Sequence, residues 1–270
     1  MKVAAIQMVS GTRVDDNLQT ARALLAQAAA GGAELAVLPE YFCVMGRRDT
    51  DKLALQEDLG VGPIQAWLAA TARELGLWIV GGTLPLSCEP RDENRVRNAS
   101  LVFSPAGKRI AHYDKIHLFR FNDGERRYDE AAVLVPGRQP VRFELPSRDG
   151  HRWRVGLSIC YDLRFPELYR ALKADLLLVP SAFTYTTGQA HWELLLRARA
   201  IENLAYVVAA AQGGTHENGR RTWGHSMVVG PWGEILAQQA EGAGVVMGEV
   251  LCSRLKEVRQ RLPALSHRVL

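Results

Sequence analysis

The pattern of apolar and polar positions along this chain predicts an α/β protein. Short runs rich in Val, Ile and Leu, bounded by Gly, Pro or charged residues, are typical of buried strands. Such runs predict strands at residues 3–8, 35–38, 77–81, 99–104, 108–113, 141–145, 153–159, 176–180, 206–211, 225–229 and 244–250. The chain therefore alternates between candidate strands and longer intervening segments.

Several of the intervening segments carry apolar residues at the three- and four-residue spacing of an α-helix. In the first of them, Asp15 and Asp16 are candidate N-cap residues and Gly31 is a stop signal. Pro166 is well placed for the first turn of a helix, where proline is tolerated. The pattern thus predicts a helix from residue 15 to the stop at residue 31, and others at residues 63–76, 167–174, 191–203 and 251–262.

Two turn segments, 104–107 and 230–233, join strand-like runs as hairpins. The order strand, helix, strand, helix, hairpin therefore occurs twice, which predicts a layered α/β fold with two mixed sheets. No Pro- or Ser-rich linker interrupts residues 1–270, so we expect a single domain. Ligands of open α/β sheets bind beyond the carboxyl ends of strands, and residues that follow strands are therefore the first candidates for a site.

The distribution of charge argues against one class of function. The net charge is +4, with 33 Lys and Arg residues against 29 Asp and Glu residues, and the two signs alternate along the chain. A protein that binds nucleic acid usually concentrates Lys and Arg in a patch or a stripe. We therefore expect no nucleic-acid partner.

The cysteines and the N-terminal segment predict a cytoplasmic protein. Cys43, Cys88, Cys160 and Cys252 are far apart and lack metal-binding spacing, so we expect a reducing compartment and neither a metal nor a cofactor. The chain enters a strand pattern at once, and no apolar run approaches the ~20 residues that cross a bilayer. We accordingly expect no signal peptide and no association with a membrane.

Three strand ends carry side chains that suit hydrolysis: Glu40, Lys115 and Cys160 each follow a strand-like run. A free thiol has a pKa of roughly 8.5, so it needs a base to take its proton or a cation to stabilise the thiolate. Glu40 is the candidate base, Lys115 the candidate donor to the thiolate and to an oxyanion, and Cys160 the candidate nucleophile. Such a set could hydrolyse an amide through an acyl-thioester without a histidine or a metal.

Other interpretations of these residues stay open on spacing alone. A cysteine at a strand end is more often a small buried apolar residue than a nucleophile. Glu40 could be a turn residue, and Lys115 could lie at the surface. A Cys–His pair would use His112 or His117 instead, and His117 alternates with Lys115, so both could lie on one face of an extended segment.

Four motifs, taken in their order along the chain, resemble those of the nitrilase superfamily of carbon-nitrogen hydrolases. They are Leu38-Pro39-Glu40-Tyr41-Phe42, Tyr113-Asp114-Lys115-Ile116-His117-Leu118-Phe119, Tyr128-Asp129-Glu130 followed by Val135-Pro136-Gly137, and Leu157-Ser158-Ile159-Cys160-Tyr161-Asp162-Leu163-Arg164-Phe165-Pro166-Glu167. One of these motifs alone is weak evidence, whereas all four in order are specific.

The resemblance implies a four-layer αββα sandwich, in which two mixed β-sheets are flanked by helices. It implies a catalytic triad of Glu40, Lys115 and Cys160. Glu130 would be a fourth active-site residue that orients Lys115 or the substrate. The backbone N–H of Tyr161 would bind the oxyanion of the substrate.

The resemblance also bears on assembly, because members of the superfamily commonly pair two sandwiches. It implies a homodimer or a higher homo-oligomer, with the helix at 166–174 and the segment from residue 251 partly buried by the partner. Ordinary packing within one chain is the alternative for both segments.

Further segments are similar to the amidase branches of the superfamily rather than to the nitrilases themselves. Tyr161 and Asp162 follow Cys160, where nitrilases usually carry Trp and Glu. Residues 181–193 and 197–203 resemble the group of ω-amidases and deaminated-glutathione amidases. The implied substrate is a small-molecule amide of a short dicarboxylic or 2-oxo acid.

Such a substrate carries a carboxylate away from the scissile bond. Arg164 is a candidate partner for that carboxylate, because a guanidinium can pair with it through two parallel hydrogen bonds. An ion pair with Glu167 or Asp162 is the alternative for Arg164. Phe183 and Thr184 are expected to line the pocket.

Two other functions stay open. An N-carbamoyl amino acid hydrolase would use the same triad with a different pocket, and a catalytically silent binding protein would keep only the fold. The loop at 121–127, between Lys115 and Glu130, differs from the loop of the eukaryotic amidases in this group and could border the entrance to the site. This difference in the loop leaves the identity of the substrate open and does not change the expected reaction type.

Overall fold

Two large β-sheets form the centre of the computed structural model, which describes residues 1–122, 124 and 127–269. The strands are β1 (Lys2–Gln7), β2 (Leu35–Val37), β3 (Trp78–Val80), β4 (Leu84–Leu86), β5 (Arg97–Phe103), β6 (Arg109–Asp114), β7 (Arg120–Asn122), β8 (Arg127–Asp129), β9 (Arg142–Pro146), β10 (Arg152–Leu157), β11 (Leu176–Leu178), β12 (Tyr206–Ala209), β13 (Gly213–Thr215), β14 (Arg221–Trp223), β15 (Ser226–Val229), β16 (Ile235–Gln239) and β17 (Gly244–Glu249). The helices are α1 (Val14–Ala30), α2 (Pro63–Leu75), α3 (Pro166–Leu172), α4 (Tyr185–Asn203) and α5 (Cys252–Arg261).

Both large sheets are mixed and are built on the same plan. The first has the order β17-β1-β2-β3-β5-β4, with β6 also paired to β5, and the second has the order β16-β15-β12-β11-β10-β9. Strands β1, β2 and β3 are parallel, as are β10, β11 and β12, and each of these sets has antiparallel neighbours. This repeated arrangement agrees with the repeated strand and helix order of the sequence.

Alternate residues of the strands pack into different layers, because successive side chains of a strand point to opposite faces. Val3 and Ala5 of β1 pack with residues of the second sheet, whereas Ala4 and Ile6 pack with the apolar faces of α1 and α2. Helices α3 and α4 cover the second sheet. The layers therefore follow the order helix, sheet, sheet, helix, and the predicted αββα sandwich is confirmed.

The N-terminus of α4 was predicted wrongly. The sequence pattern predicts this helix at residues 191–203, but it begins at Tyr185. Its first turns are mostly polar and so carry no apolar periodicity. They also include Gly188, where a Cβ atom would lie 2.2 Å from the Cβ of Trp223. Gly188 therefore allows α4 to pack closely against Trp223 of β14. Because glycine is unfavourable inside a helix, the sequence pattern does not predict a helix in this part of the chain.

Smaller differences have similarly local causes. Asp15 and Asp16 lie in the first turn of α1 and do not cap it, since Arg13 occupies the N-cap position. Their carboxylates still stabilise the helix through its dipole. Strands β4, β7, β8, β13 and β14 were not predicted, because proline, glycine or polar residues interrupt these three-residue segments, whereas the equally short β2, β3 and β11 are wholly apolar. Strand β16 was implied only as the second strand of the hairpin at 230–233.

Three strands lead into the candidate residues of the sequence. The chain passes from β2 to Glu40, from β6 directly to Lys115, and from β10 to Cys160. The N–H of Cys160 donates to the carbonyl oxygen of Pro180 at 2.9 Å, which fixes the segment after β10 against the segment after β11. Two of these strands belong to the first sheet and one to the second, so the candidate residues meet where the ends of both sheets come together.

Within the described ranges, every helix is too short or too polar to cross a membrane.

Candidate active site

Cys160 lies at a sharp turn between a strand and a helix. It begins the 3-10 turn Cys160–Arg164 and has a φ of 50°, a conformation that is costly for a residue with a side chain. Tyr41, which follows Glu40, has a similar φ of 57°. Strained backbone at two neighbouring loops is typical of sites in which side chains must be held in one direction.

Lys115 joins the two glutamates of the site. Its Nζ donates to Oε1 of Glu40 at 2.9 Å and to Oε1 of Glu130 at 2.9 Å, and its side chain is 0% exposed. A buried ammonium is stable only when it is paired and hydrogen bonded, and here two carboxylates meet that need. The chain therefore holds this amine in one place.

Two groups that the sequence analysis missed hold Glu40. Asn98 donates from Nδ2 to Oε1 of Glu40 at 2.8 Å, and the N–H of Ala182 donates to Oε2 at 2.9 Å. Asn98 belongs to β5 and is 4% exposed. A polar residue at the start of a largely apolar strand was the available signal for Asn98, whereas no sequence signal marks a backbone N–H.

Glu130 is held as firmly as Glu40. Its Oε1 accepts from the hydroxyl of Tyr41 at 3.0 Å, and its Oε2 accepts from the N–H of Phe119 at 2.7 Å. Burial is the largest single influence on this carboxyl and raises its pKa, but Lys115, the N–H of Phe119 and the charge of Lys52 together outweigh burial and lower the pKa of Glu130. Glu130 therefore stays ionised and keeps Lys115 oriented.

The electrostatics of this cluster make Cys160 a neutral thiol at rest. Burial by itself would lower the pKa of Lys115, but the carboxylates of Glu130 and Glu40 outweigh it and hold this pKa above its usual value. Burial, followed by the charge of Glu40, raises the pKa of the Cys160 thiol well above its usual value. Glu40 and Cys160 line the same cleft. A candidate proton acceptor therefore lies in the same cleft as the thiol that must lose its proton.

Asp162 ties the turn at Cys160 to the segment that carries Lys115. Its Oδ2 accepts from the hydroxyl of Tyr113 at 2.7 Å and from the N–H of Ile159 at 2.9 Å. Its Oδ1 lies 2.7 Å from Nδ1 of His117. This buried carboxylate therefore sets the distance between the two segments.

The histidines of the alternative Cys–His scheme have other partners. His117 contacts Asp162 and stacks on Phe165 with 3.6 Å between ring centroids. His112 lies 2.7 Å from Asp114 through its Nε2. Among the described residues, the side-chain hydrogen bonds of both rings go to aspartates and not to the cysteine. Glu40, which lines the same cleft as Cys160 and whose charge raises the pKa of the thiol, is the better candidate for the base.

Gly137 lets the chain pass close to the backbone before Lys115. Its N–H donates to the carbonyl oxygen of Lys115 at 2.8 Å, and a Cβ atom at this position would lie 2.2 Å from the carbonyl oxygen of Asp114. A side chain here would displace the segment that carries the ammonium. This close approach gives a physical reason for glycine in the segment after Glu130.

A narrow cleft opens above Cys160, and most of the predicted substrate-binding residues line it. The lining includes Tyr161, Phe183 and Thr184 together with Phe119 and Thr187. The cleft has about 10 Å³ of free volume, roughly the room that one water needs. Only a small group of a substrate therefore fits at the cysteine without movement of the side chains.

Arg164 lies outside this lining. Its guanidinium is 5.8 Å from the ring centroid of Tyr161 and 5.5 Å from that of Phe183, and its Nη2 is 3.3 Å from Nδ1 of His191. Within the described part of the chain it pairs with neither of the acidic residues considered as its alternative partners. Its predicted contact with a substrate carboxylate therefore stays a prediction.

Arg220 also lines the cleft and was not predicted from the sequence. It lies just before β14 and follows a turn at Gly219, where no apolar or charge pattern marks a functional residue. The loop 121–127 was predicted to border the entrance, and three of its residues, Asp123, Glu125 and Arg126, lie outside the described residues.

Among the described residues, no group of three or more His, Cys, Asp or Glu side chains could hold a metal ion.

Comparisons with known proteins show the family of this chain. The family described as carbon-nitrogen hydrolase matches residues 2–260. The chain is 41% identical to a deaminated glutathione amidase of Synechocystis sp., over 98% of this chain and 97% of that protein.

Two solved structures extend the comparison. Nit3 of Saccharomyces cerevisiae, a member of branch 10 of the nitrilase superfamily, has a TM-score of 0.85 and 29% identity, over 97% of this chain and 94% of that chain. A mutant amidase from Nesterenkonia sp. AN1 has a TM-score of 0.78 and 28% identity, over 97% of this chain and 98% of that chain. In that amidase, acrylamide has added to the active-site cysteine.

Proposed function

This chain belongs to the carbon-nitrogen hydrolase family and is an amidase, and we propose that it cleaves a small acid amide with Cys160, Glu40 and Lys115 as its catalytic residues. The observation that carries this proposal is the buried cluster in which one ammonium joins two carboxylates beside a thiol. In each of these three residues the side chain has a group that the reaction requires.

Acylation begins with the neutral thiol. As Sγ of Cys160 attacks the amide carbonyl, its proton passes to the carboxylate of Glu40, and the carbonyl oxygen becomes negative. Nζ of Lys115 and the N–H of Tyr161 stabilise this oxyanion, since the first N–H groups of a helical turn lack partners within the turn. The C–N bond then breaks, and Glu40 returns its proton to the leaving amine.

Deacylation uses the same groups on water. Glu40 takes a proton from a water molecule, whose oxygen attacks the thioester carbonyl. The second oxyanion forms where the first did, and the C–S bond breaks as the proton on Glu40 returns to Sγ of Cys160. The balance is one amide and one water consumed, with one acid and one amine or ammonia released.

We infer the substrate class from the relatives and from the site. The relative from Synechocystis is named deaminated glutathione amidase, and we assign to this chain amides of a short dicarboxylic or 2-oxo acid. Substrates of the ω-amidase type belong to the same class. An N-carbamoyl amino acid hydrolase and a silent binding protein are the alternatives that an assay must separate from this assignment.

A panel of four compounds tests the substrate class. We expect the protein to cleave at least one of deaminated glutathione, 2-oxoglutaramate and 2-oxosuccinamate, and to leave an N-carbamoyl amino acid intact. Release of ammonia and release of an amine are measured separately for each compound.

Other results of this panel would contradict parts of the proposal. Cleavage of the carbamoyl compound alone would support the alternative enzyme. Cleavage of none, with Cys160 still alkylated by a small electrophile, would retain the nucleophile and discard the substrate class. Cleavage of none, with Cys160 inert, would favour the silent binding protein.

We also propose a homodimer, in which a second copy of this chain covers an apolar surface on α4 and the turn before β16, in addition to the helix at 166–174 and the segment from residue 251 that the resemblance implies. Leu194 and Ile201 of α4 are 68% and 47% exposed, and Trp232 is 51% exposed. Nε of Arg197 donates to the carbonyl oxygen of Gly233 at 2.8 Å, so α4 and this turn are neighbours. Exposed apolar surface of this kind often marks an interface.

The mass in solution tests the proposed dimer. Light scattering at micromolar concentration should give about twice the chain mass of 29.9 kDa, and Ile201→Glu should lower it. A wild-type protein that stays at the chain mass would contradict the dimer.

A cytoplasmic location is a further proposal. All four cysteines are free thiols, which suits a reducing compartment. Recovery of the protein with a periplasmic or secreted marker during cell fractionation would contradict this location.

A further inference from the structure

A cavity with a basic lining lies beside the cleft. Here it is called the basic vestibule, and its cationic residues are Arg47, Arg48, Lys52, Arg127 and Arg220. Its free volume is about 360 Å³, against about 10 Å³ in the cleft at Cys160. Arg220 lines both spaces, and Tyr41, which contacts Glu130, lines the vestibule. A substrate whose carbonyl lies at Cys160 therefore has room for its remaining atoms past Arg220.

Three cations of the basic vestibule already have partners. Arg47 lies 3.3 Å from Glu217, and Arg48 lies 3.4 Å from Asp51. Arg127 lies 3.9 Å from Asp129. Their side chains are 74%, 82% and 75% exposed, so water also solvates their charges.

Arg220 and Lys52 differ from these three. Among the described residues, neither has a carboxylate within the 4.0 Å of an ion pair. The Nε of Arg220 is buried without a hydrogen-bond partner, while Nη2 reaches the carbonyl oxygen of Ala182 at 3.5 Å and Nη1 reaches Sδ of Met45 at 3.9 Å. The ammonium of Lys52 lies 4.7 Å from the ring centroid of Tyr41.

Unpaired donors at such positions need an explanation. A buried N–H group without a partner is rare in proteins, because it loses its hydrogen bonds to water without compensation. Burial is the largest influence on the pKa of Lys52 and lowers it, although the carboxylates of Asp49, Glu130 and Glu40 act in the opposite direction. An anion in the vestibule would satisfy both groups, and a carboxylate matches the planar fork of a guanidinium.

We propose that Arg220, assisted by Lys52, binds a carboxylate of the substrate and thereby selects amides that carry an anionic group at the end remote from the scissile bond. This inference rests on the proposed amidase function and names the residue that determines specificity. Arg220 is a better candidate than Arg164, because Arg220 lines the cleft while Arg164 lies outside its lining and already contacts His191.

Two matched amides test the selection. Glutaramate and pentanamide have the same chain length and the same amide, but only glutaramate carries a carboxylate. We expect wild type to prefer glutaramate. Arg220→Met should lower kcat/KM for glutaramate by roughly 10- to 150-fold, the range of one hydrogen bond to a charged group. The same variant should leave kcat/KM for pentanamide nearly unchanged. Arg220→Lys should lie between the two, since lysine keeps the charge without the fork.

Control variants separate this role from general effects of charge and of folding. Arg152→Met removes a cation at the start of β10, where the side chain is 71% exposed and pairs with Glu144, and it should change neither substrate. Lys52→Met should weaken glutaramate selectively and to a smaller extent. Lys52 lies in a different segment from Arg220, so Lys52→Met still tests the proposal if Arg220→Met fails to fold.

A binding measurement makes the test independent of turnover. Calorimetry with glutarate on Cys160→Ala protein should show binding that the further change Arg220→Met weakens by the same factor. If wild type hydrolyses no amide while glutarate still binds through Arg220, the proposed function is wrong and the carboxylate site stands. Any of three results would overturn the carboxylate site. They are equal losses of kcat/KM on both amides in Arg220→Met, no preference of wild type for glutaramate, and glutarate affinity that Arg220→Met leaves unchanged.

Discussion

Replacing Cys160 with alanine should lower kcat by about 10⁴-fold or more, the scale expected when an enzyme loses its nucleophile. Without Sγ no acyl-thioester can form, and the remaining groups can only position water against the substrate. The fold should survive. The change removes one sulfur atom from a residue that is 8% exposed, and the N–H that binds Pro180 stays in place.

The measurement is steady-state hydrolysis of the best substrate, with circular dichroism and thermal unfolding of the same preparation. Mass spectrometry after rapid acid quenching should find an acylated Cys160 in wild type and no adduct in Cys160→Ala. Cys88→Ala is the matched control, because Cys88 is also buried but lies outside the cleft, and it should retain full activity. Wild-type turnover by Cys160→Ala would end the assignment of the nucleophile.

Replacing Glu40 with glutamine should have two effects of opposite direction. Turnover should fall by about 10²- to 10⁴-fold, the usual contribution of general acid–base catalysis, because the amide cannot accept the thiol proton. Labelling of the thiol should become easier. After burial, the charge of Glu40 is the largest influence that raises the pKa of Cys160. Its removal lowers that pKa and increases the thiolate fraction at a given pH.

The sign of this second effect makes the prediction specific. The pH at which alkylation of Cys160 reaches half its maximum should move to lower pH in Glu40→Gln. Peptide mapping keeps Cys160 apart from the other thiols, and burial raises the pKa of Cys43 to about 12, so Cys43 should react little. A midpoint that stays unchanged or moves to higher pH would contradict the influence of the Glu40 charge on the pKa of the thiol.

Glu57→Gln provides the matched control. Glu57 is also a buried glutamate, but it accepts from the N–H groups of Ile64 and Gln65 at the start of α2. Its loss should destabilise that helix terminus and leave the labelling midpoint of Cys160 unchanged. A shift in both variants would show that the pH dependence follows stability and not the site.

Much of the fold was predictable because its elements are long and locally consistent. The apolar runs of β1 and β5 and the proline and glycine that bound α2 have the spacing that buried strands and helices require. Errors arose where tertiary contacts override the pattern. The first turns of α4 are polar, and Gly188 lies there because Trp223 leaves no room for a side chain.

The candidate catalytic residues were predictable for a related reason. Glu40, Lys115 and Cys160 each stand within three residues of the end of a strand and within a motif of neighbouring residues, so short stretches of sequence mark them. Their proximity follows from topology, because β2, β6 and β10 end in the same region. Their catalytic roles stay predictions that the two substitutions above test.

The sequence by itself determined the αββα fold class, the family and the identity of the candidate thiol, acid and amine, because each of these depends on local patterns that one chain displays. Only the tertiary structure decided the partners of these groups. Asn98 and the N–H of Ala182 hold Glu40, and Arg220 reaches the cleft from a segment far along the chain. Hydrogen bonds and pKa values depend on distances between residues that are remote in sequence, and those distances exist only after the two sheets have packed together.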